Sequence, residues 1–422
     1  MKKMKDSGVA WIGEIPSNWA LVRVKNQYSS HKTIAGSDSE KYERLALTLN
    51  GVIKRSKEDS NGLQPEAFDG YQVLNTGELV FKLIDLANVA TSRVGYSPYT
   101  GIVSPAYIIL SPNKDAVAKF GEKFFLSMWQ REVFNHMGDD GVRSSLNVSD
   151  LLNIPYPHPP LPEQQRIADF LDRKCADIDN ILEKTKASIE EYKKLKQSVI
   201  TEAVTKGVRG PRPMKDRGIE WIGEIPEDWT LTKVKWLLNE RNERSEDGSE
   251  EPLSMSQKYG LIPTKEMDTI PNMASSFVGA KITHVGDLVF NKLKAHLGVF
   301  AVSKYEGLVS PDYAVYYKTA RADMRYLEYL FKTPQYILEF RKRSSGVGAG
   351  LTRLYTSDLF AMYSASPRLE EQQEIAAYLD KKCSEIDSLI ASKEKFITEL
   401  ESYKKSLVYE YVTGKKEVPA EA

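Results

Sequence analysis

The chain repeats itself once, and that duplication constrains its fold more than any other feature. MKDSGVAWIGEIPSNW at residues 4–19 recurs as MKDRGIEWIGEIPEDW at 214–229, with 11 identities in 16 positions. GELVF at 77–81 returns as GDLVF at 286–290, and VSPAY at 103–107 as VSPDY at 309–313. LPEQQRIADFLDRKCADID at 161–179 returns as LEEQQEIAAYLDKKCSEID at 369–387. The four blocks keep their order, and their offset stays between 206 and 210 residues. They define two copies of one unit, with a period far beyond the roughly 20–50 residues of a solenoid repeat. Each copy is long enough for one ordinary domain plus an appendage.

The appendage is a helix. Neither 163–206 nor 370–413 contains a Gly or Pro. Apolar residues recur there at heptad spacing: Ile167, Leu171, Ile178, Ile181, Tyr192, Leu195 and Val199 in the first copy, and Ile375, Leu379, Ile386, Leu389, Phe396, Leu400, Tyr403 and Leu407 in the second. About 40 residues at 1.5 Å each make a rod of roughly 60 Å, and a seam that narrow predicts a coiled coil. Pro162 is placed to open the first helix, and Gly207 and Gly414 to cap the two. Cys175 and Cys383 flank the seam at equivalent positions and read as small buried hydrophobes. The expected organisation is a first domain at 1–160, a helix at 161–207, a linker at 208–213, a second domain at 214–368, a helix at 369–414 and a tail at 415–422. Similar helices after similar domains predict antiparallel pairing about a pseudo-twofold axis.

Within the domains, strands are expected at 42–49, 78–83, 106–110, 287–293 and 313–317, and helical segments near 120–136 and 321–343. The fold class is α+β: two mixed α/β domains alternating with two long helices. The four tryptophans Trp11, Trp19, Trp221 and Trp229 read as packing residues, since large aromatics dominate cores.

The catalytic inventory is empty. The Asp/Asn-Pro-Pro-aromatic motif of amino methyltransferases is missing; the nearest string, HPPL at 158–161, lacks both ends of it. There is no Walker A loop. Pro311-Asp312 is not followed by the Glu-x-Lys of a nuclease site, and the five histidines lack metal-ligand spacing. GVGAG at 346–350 reads as a tight loop rather than a phosphate cradle. Two distant cysteines, a start without an apolar leader core, and no run long enough to span a bilayer predict a cytoplasmic protein without a membrane anchor. Lys plus Arg equals Asp plus Glu, 58 against 58, so sequence-blind electrostatic binding to nucleic acid is disfavoured.

WIGEIP…W opening each half, GELVF/GDLVF in mid-domain and LPEQQ/LEEQQ leading into a helix resemble the specificity subunits of type I restriction-modification enzymes. The resemblance spans nearly the whole chain. It implies that each domain is a target-recognition domain for half of an interrupted site on double-stranded DNA. It also implies that the helices are spacer and docking platform for two methyltransferase subunits, with a restriction/translocase subunit joining afterwards. S-adenosylmethionine, Mg and ATP would then belong to those partners, with no cofactor here. A coiled-coil scaffold binding only proteins is the rival reading, which the neutral charge favours; a nuclease of unfamiliar type is a third.

Candidate DNA contacts follow from position. Lys82 and Lys292 follow the LVF strands, joined by Lys294 and Arg93; phosphate or base contact and a merely solvated face are both open. Arg143 in GVRSSLNVSDL and Arg353 in GLTRLYTSDL are paired at an offset of 210, in Gly- and Ser-rich loops before each domain exit. Arginine is the best bidentate partner of guanine edges and phosphates, with an intradomain ion pair as the alternative. Arg341, Lys342 and Arg343 form a basic cluster suited to phosphates, which position without specifying. Glu163, Gln164, Gln165 and Glu371, Gln372, Gln373 begin helices; methyltransferase docking through them is the family's suggestion.

Overall fold

The computed structural model describes residues 3–59, 66–86, 91–137, 145–269, 276–346 and 352–419. They divide into two compact units, Met1–Thr185 with Glu394–Ala422, and Lys186–Lys393.

In the first unit the LVF strand lies inside a four-stranded antiparallel sheet, in the order Tyr28–His31, Ile108–Pro112, Leu79–Phe81, Val94–Tyr96. Successive side chains of a strand point to opposite faces, and this triplet fills both. Leu79 and Phe81 enter a core with Phe120, Phe124 and Phe125 of helix α1 (Ala118–Gln130). Val80 enters a second core with Leu45, Leu47, Leu74 and Ile109. Burying a side chain such as Phe81 stabilises by about 1.5–3 kcal/mol, and a strand buried on both faces has to be apolar throughout. Gly77 before it has φ +92°, and its counterpart Gly286 has φ +91°, a conformation that a Cβ makes costly. Glu78 then closes the turn by accepting the backbone N–H of Asn75 at 2.7 Å.

Arg44–Thr48 and Gly51–Arg55 form a hairpin joined to Gly101–Val103 and Gln72–Leu74, completing a second four-stranded sheet. The strand Ala20–Arg23 pairs with Pro155–His158, which brings the domain's start beside its exit. Between them lies α2 (Val148–Leu152), capped by Asn147 and Asp150 in a reciprocal capping box. Helix α3 (Leu161–Lys206) follows.

The second unit repeats the plan. Its sheet runs Leu238–Arg241, Ala314–Lys318, Leu288–Phe290, Phe300–Val302. Leu288 and Phe290 face one core, and Val289 faces another with Leu253, Leu261 and Val315. The second sheet recurs as well: the ladders Leu253–Ser256 with Gly260–Pro263 and Lys281–Thr283 with Gly307–Val309 are linked by the parallel bridge Pro252–Leu308, as Arg44–Ile102 links the first sheet. One feature differs. The helical segment expected near 321–343 is two helices, α4 (Met324–Phe331) and α5 (Pro334–Arg343). Pro334 has no N–H to continue a helix but suits the first position of a new one. In the first unit the described residues after α1, up to Met137, hold a single 3₁₀ turn, Val133–His136. Helices α6 (Thr356–Ala361) and α7 (Leu369–Val412) complete the second copy.

The glutamine of each EQQ motif joins domain to helix. Gln164 is 0% exposed; its Oε1 accepts from Val117 N (3.0 Å), and its Nε2 donates to the carbonyls of Asp115 and Pro159 (3.1 and 2.9 Å). Gln372 makes the same three bonds, to Asp323 N and to the carbonyls of Arg321 and Pro367. Both are consumed inside the protein, as is Glu371, so a docking role for these three is corrected to an internal joint. Gln165 and Gln373 remain exposed. Trp19 and Trp229 are 1% exposed, and the Trp19 indole donates to Glu163 at 3.1 Å. Cys175 and Cys383 are buried free thiols.

In each unit the helices pack antiparallel. In the first, Ile167, Leu171 and Ile178 share a core with Leu407, Val408 and Val412, and Lys404 reaches Asp179 at 2.5 Å. In the second, Ile200 and Val204 share a core with Ile375 and Leu379, and Lys196 reaches Asp387 at 2.7 Å. These ion pairs are exposed, so they report register more than stability. Part of the expected seam lies elsewhere: Ile181, Leu195, Leu389, Phe396 and Tyr403 are 42–53% exposed, whereas Leu182, Ile189, Ile200 and Val204 are buried. A 3.6-residue helix drifts about 20° per heptad against a strict seven-residue pattern, so the buried stripe leaves the heptad positions.

Candidate nucleic-acid interface

In the second unit, the segment after the LVF strand meets the segment that leaves the domain: Leu354 N–H donates to the carbonyl of Lys292 at 3.0 Å. This joint gathers Lys292 and Arg353 near Lys281. Burial, with repulsion from Lys281 and Arg353, holds the half-buried Lys292 ammonium below the usual lysine range, against the pull of Glu240 and Asp312. Lys281, 3% exposed, lies 3.5 Å from Glu240, and Arg353 Nη2 donates to Asp312 at 3.2 Å. The Arg353 Nε is buried and finds no acceptor among the described residues. Three cations thus face two carboxylates, and the group keeps a positive surplus with one guanidinium donor to spare.

Lys294 is exposed on the following turn. Arg341, Lys342 and Arg343 form the exposed last turn of α5, where positive charge complements the helix dipole. Lys342 and Arg343 both pair with Glu339 (2.9 and 3.3 Å), which neutralises part of their charge. The chain runs from this turn directly into the ladder Ser345–Gly346 with Thr352–Arg353, so the basic turn and Arg353 belong to one segment.

In the first unit the matching joint is Leu146 N–H to the carbonyl of Leu83, at 2.9 Å. It places Ser145, not Arg143, at the position of Arg353. The pairing at offset 210 is corrected to 208, because the two exit loops differ in length between Gly and the Ser-Asp-Leu that both share. Arg143 itself, and all of GVGAG beyond Gly346, lie outside the described residues. Lys82 is half-buried with Nζ 3.4 Å from Thr91 Oγ1. Arg93 is 0% exposed; it donates to the carbonyl of Asp85 (2.7 Å) and to Thr91 Oγ1 (3.3 Å), and burial lowers its pKa. Its guanidinium ties a loop to the sheet rather than facing solvent.

The first unit gathers cations elsewhere. The Arg44–Thr48/Gly51–Arg55 hairpin carries a cleft of about 470 Å³ lined by Lys41, Arg44, Lys54, Arg55 and Lys57, with Glu40, Glu43 and Glu58 among them. Arg44 and Lys57 lie over the Phe68 ring at 5.4 and 5.9 Å, and Lys54 over Tyr99 at 5.5 Å. Sequence reasoning missed this cleft, although KRSK at 54–57 was there to find. Among the described residues no His, Cys, Asp and Glu cluster could hold a metal ion, and no helix is long and apolar enough to cross a membrane.

Residues 53–191 match the family model of the type I restriction modification DNA specificity domain. A protein of Methanocaldococcus jannaschii named as the type I restriction enzyme MjaX specificity subunit is 26% identical over 427 residues, covering 96% of this chain and 95% of its own. The MjaVIII specificity subunit of the same organism is 27% identical over 279 residues, 62% of each chain. Among solved structures, one described as the structural basis of complex assembly and conformational transition of the type I R-M system matches with TM-score 0.71 at 15% identity, covering 95% of this chain and 99% of that one. The HsdS subunit from Thermoanaerobacter tengcongensis matches with TM-score 0.54 at 14% identity, covering 95% and 98%. The fold is shared with these two solved structures along nearly the whole chain. What this chain is similar to, over one of its domains by the family model and over nearly its whole length by the MjaX relative, is a type I restriction-modification specificity subunit.

Proposed function

We propose that this chain chooses the DNA on which a partner methyltransferase acts, each of its two β domains reading one half of a bipartite, interrupted site in double-stranded DNA. One observation carries this reading: the scaffold is repeated down to single hydrogen bonds, while the cationic groups differ between copies. Gln164 and Gln372 make the same three bonds. The charges, by contrast, sit on Arg44, Lys54 and Lys57 in one copy and on Lys281, Lys292 and Arg353 in the other. Two like frames with unlike charged surfaces suit two unlike half-sites.

The long helices act as one antiparallel coiled coil with pseudo-twofold symmetry, supported by two ion pairs, Asp179–Lys404 and Lys196–Asp387, whose two aspartates are 208 residues apart, as are their two lysines. The exposed apolar residues on them recur likewise, Ile181 and Tyr403 in the first unit answering to Leu389 and Leu195 in the second. That recurrence supports two seats for two methyltransferase subunits. S-adenosylmethionine, Mg and ATP would enter with those subunits and a restriction/translocase subunit, in the cytoplasm where the DNA is.

The test is methylome sequencing of a host that coexpresses this chain with its cognate methyltransferase. The expected result is one methylated motif made of two specified halves around an unspecified gap. Methylation that does not depend on the chain, or a motif without a gap, would overturn the reading.

A further inference from the structure

The two copies differ where the last turns of one long helix pack on the first turns of the other. In the first unit Tyr411, 7% exposed, stacks on Phe170, 5% exposed, with 4.7 Å between ring centroids. The offset of 208 maps Tyr411 onto Ala203 and Phe170 onto Tyr378. In the second unit an alanine therefore stands where the first has a tyrosine, and Tyr378 is 40% exposed. Beside it opens a cleft of about 720 Å³ whose apolar lining is Val199, Ala203, Val208, Pro211, Met214 and Tyr378.

The cleft wall is fixed. Part of it is the 207–213 segment, and Arg212 in that segment pairs with Glu371 and Asp228 and lies over the Trp229 ring at 5.3 Å. The floor is fixed as well, since Val204 beside Ala203 is 0% exposed. Glu202, Lys206, Arg212 and Glu224 also line the cleft, and a preformed cleft that joins apolar surface to polar groups is the usual form of a binding seat.

We propose that this cleft receives an aromatic side chain of the methyltransferase subunit docked on the second unit. The proposal rests on the docking reading above and adds the contact and its asymmetry. The first unit gives the chemistry of the occupant, because there the chain supplies a tyrosine ring of its own to the corresponding place. The two docked methyltransferases are then unequal. One inserts a ring beside Tyr378 and is held more tightly; the other finds the place taken by Tyr411.

The experiment titrates the purified full-length chain with its cognate methyltransferase and reads stoichiometry and both affinities by native mass spectrometry. The wild-type chain binds two methyltransferases in steps of unequal affinity. Ala203→Tyr supplies the ring in cis and weakens the tighter step by roughly tenfold or more while leaving the weaker one unchanged. Val208→Lys, which puts a charge on the half-exposed cleft wall, weakens the same step and decides the matter should Ala203→Tyr fail a thermal-unfolding check. Two unchanged affinities in folded variants would overturn the proposal, and so would indole occupying the cleft without affecting methyltransferase binding. A folded wild-type chain that binds no methyltransferase would bring down the docking reading itself.

Discussion

Arg353 is held on one side by an exposed carboxylate, Asp312, and keeps a buried Nε donor without an acceptor among the described residues. A guanidinium so placed can trade its weak partner for a guanine edge. Replacing Arg353 with Ala should cost about 1–3 kcal/mol of discrimination at one base pair of the second half-site and leave the first half-site unaffected. Affinities for duplexes carrying single-base variants measure this. Uniform weakening on all sequences would make Arg353 a phosphate contact, and no change in a folded protein would leave it as the partner of Asp312 alone. The sequence could nominate Arg353 because basic residues near a domain exit stand out. It could not show that Arg93, equally basic and near a strand end, is buried at 0% and bonded to a carbonyl. Nor could it align Arg143 correctly, because loops of unequal length hide equivalence until a hydrogen bond such as Leu354 N–H to Lys292 O marks it.

Elements were easier to read where one physical constraint dominates. The LVF strand, with an apolar residue required on each face and a glycine required at positive φ before it, is such a case. The helix seam is not, since a seven-residue pattern and a 3.6-residue helix part company over 46 residues. The attachment of helix α1 to α3 was invisible, because it depends on groups about 50 residues apart. Lys119 and Lys123 reach Asp172 at 2.8 and 2.7 Å. Burial pushes the Asp172 carboxyl up, but hydrogen bonds from the two ammonium groups outweigh it and hold the group below its ordinary value. A carboxylate with a depressed pKa contributes stability above its unfolded value, near 4, and loses it as pH falls through the folded value. Asp172→Asn should therefore cost about 1 kcal/mol at neutral pH, after discounting for partial exposure, and progressively less below pH 4. Urea unfolding of both proteins across that range checks it; a difference that does not shrink on acidification would mean that the ion pairs are not its source.

At the scale of the whole molecule, charge balance and duplication act together. With 58 basic against 58 acidic residues the chain has no net field to hold DNA of arbitrary sequence. Its cationic surplus is local and differs between the copies, so under the proposed function affinity has to come from matched contacts at each half-site. If the two domains are independent readers on equivalent frames, one can replace the other. Substituting a second copy of residues 4–160 for residues 214–368 preserves the helix junction, because Gln372 would find the backbone groups of Asp115 and Val117 in place of those of Arg321 and Asp323. The substitution places Asn18 where Asp228 pairs with Arg212, but Glu371 still holds that arginine. Coexpressed with the cognate methyltransferase, the chimera should methylate a motif whose two specified halves are the same sequence, that of the original first half. Methylome sequencing reads this directly. A chimera that folds and supports methylation, yet keeps the original second half-site, would place sequence choice outside the β domains.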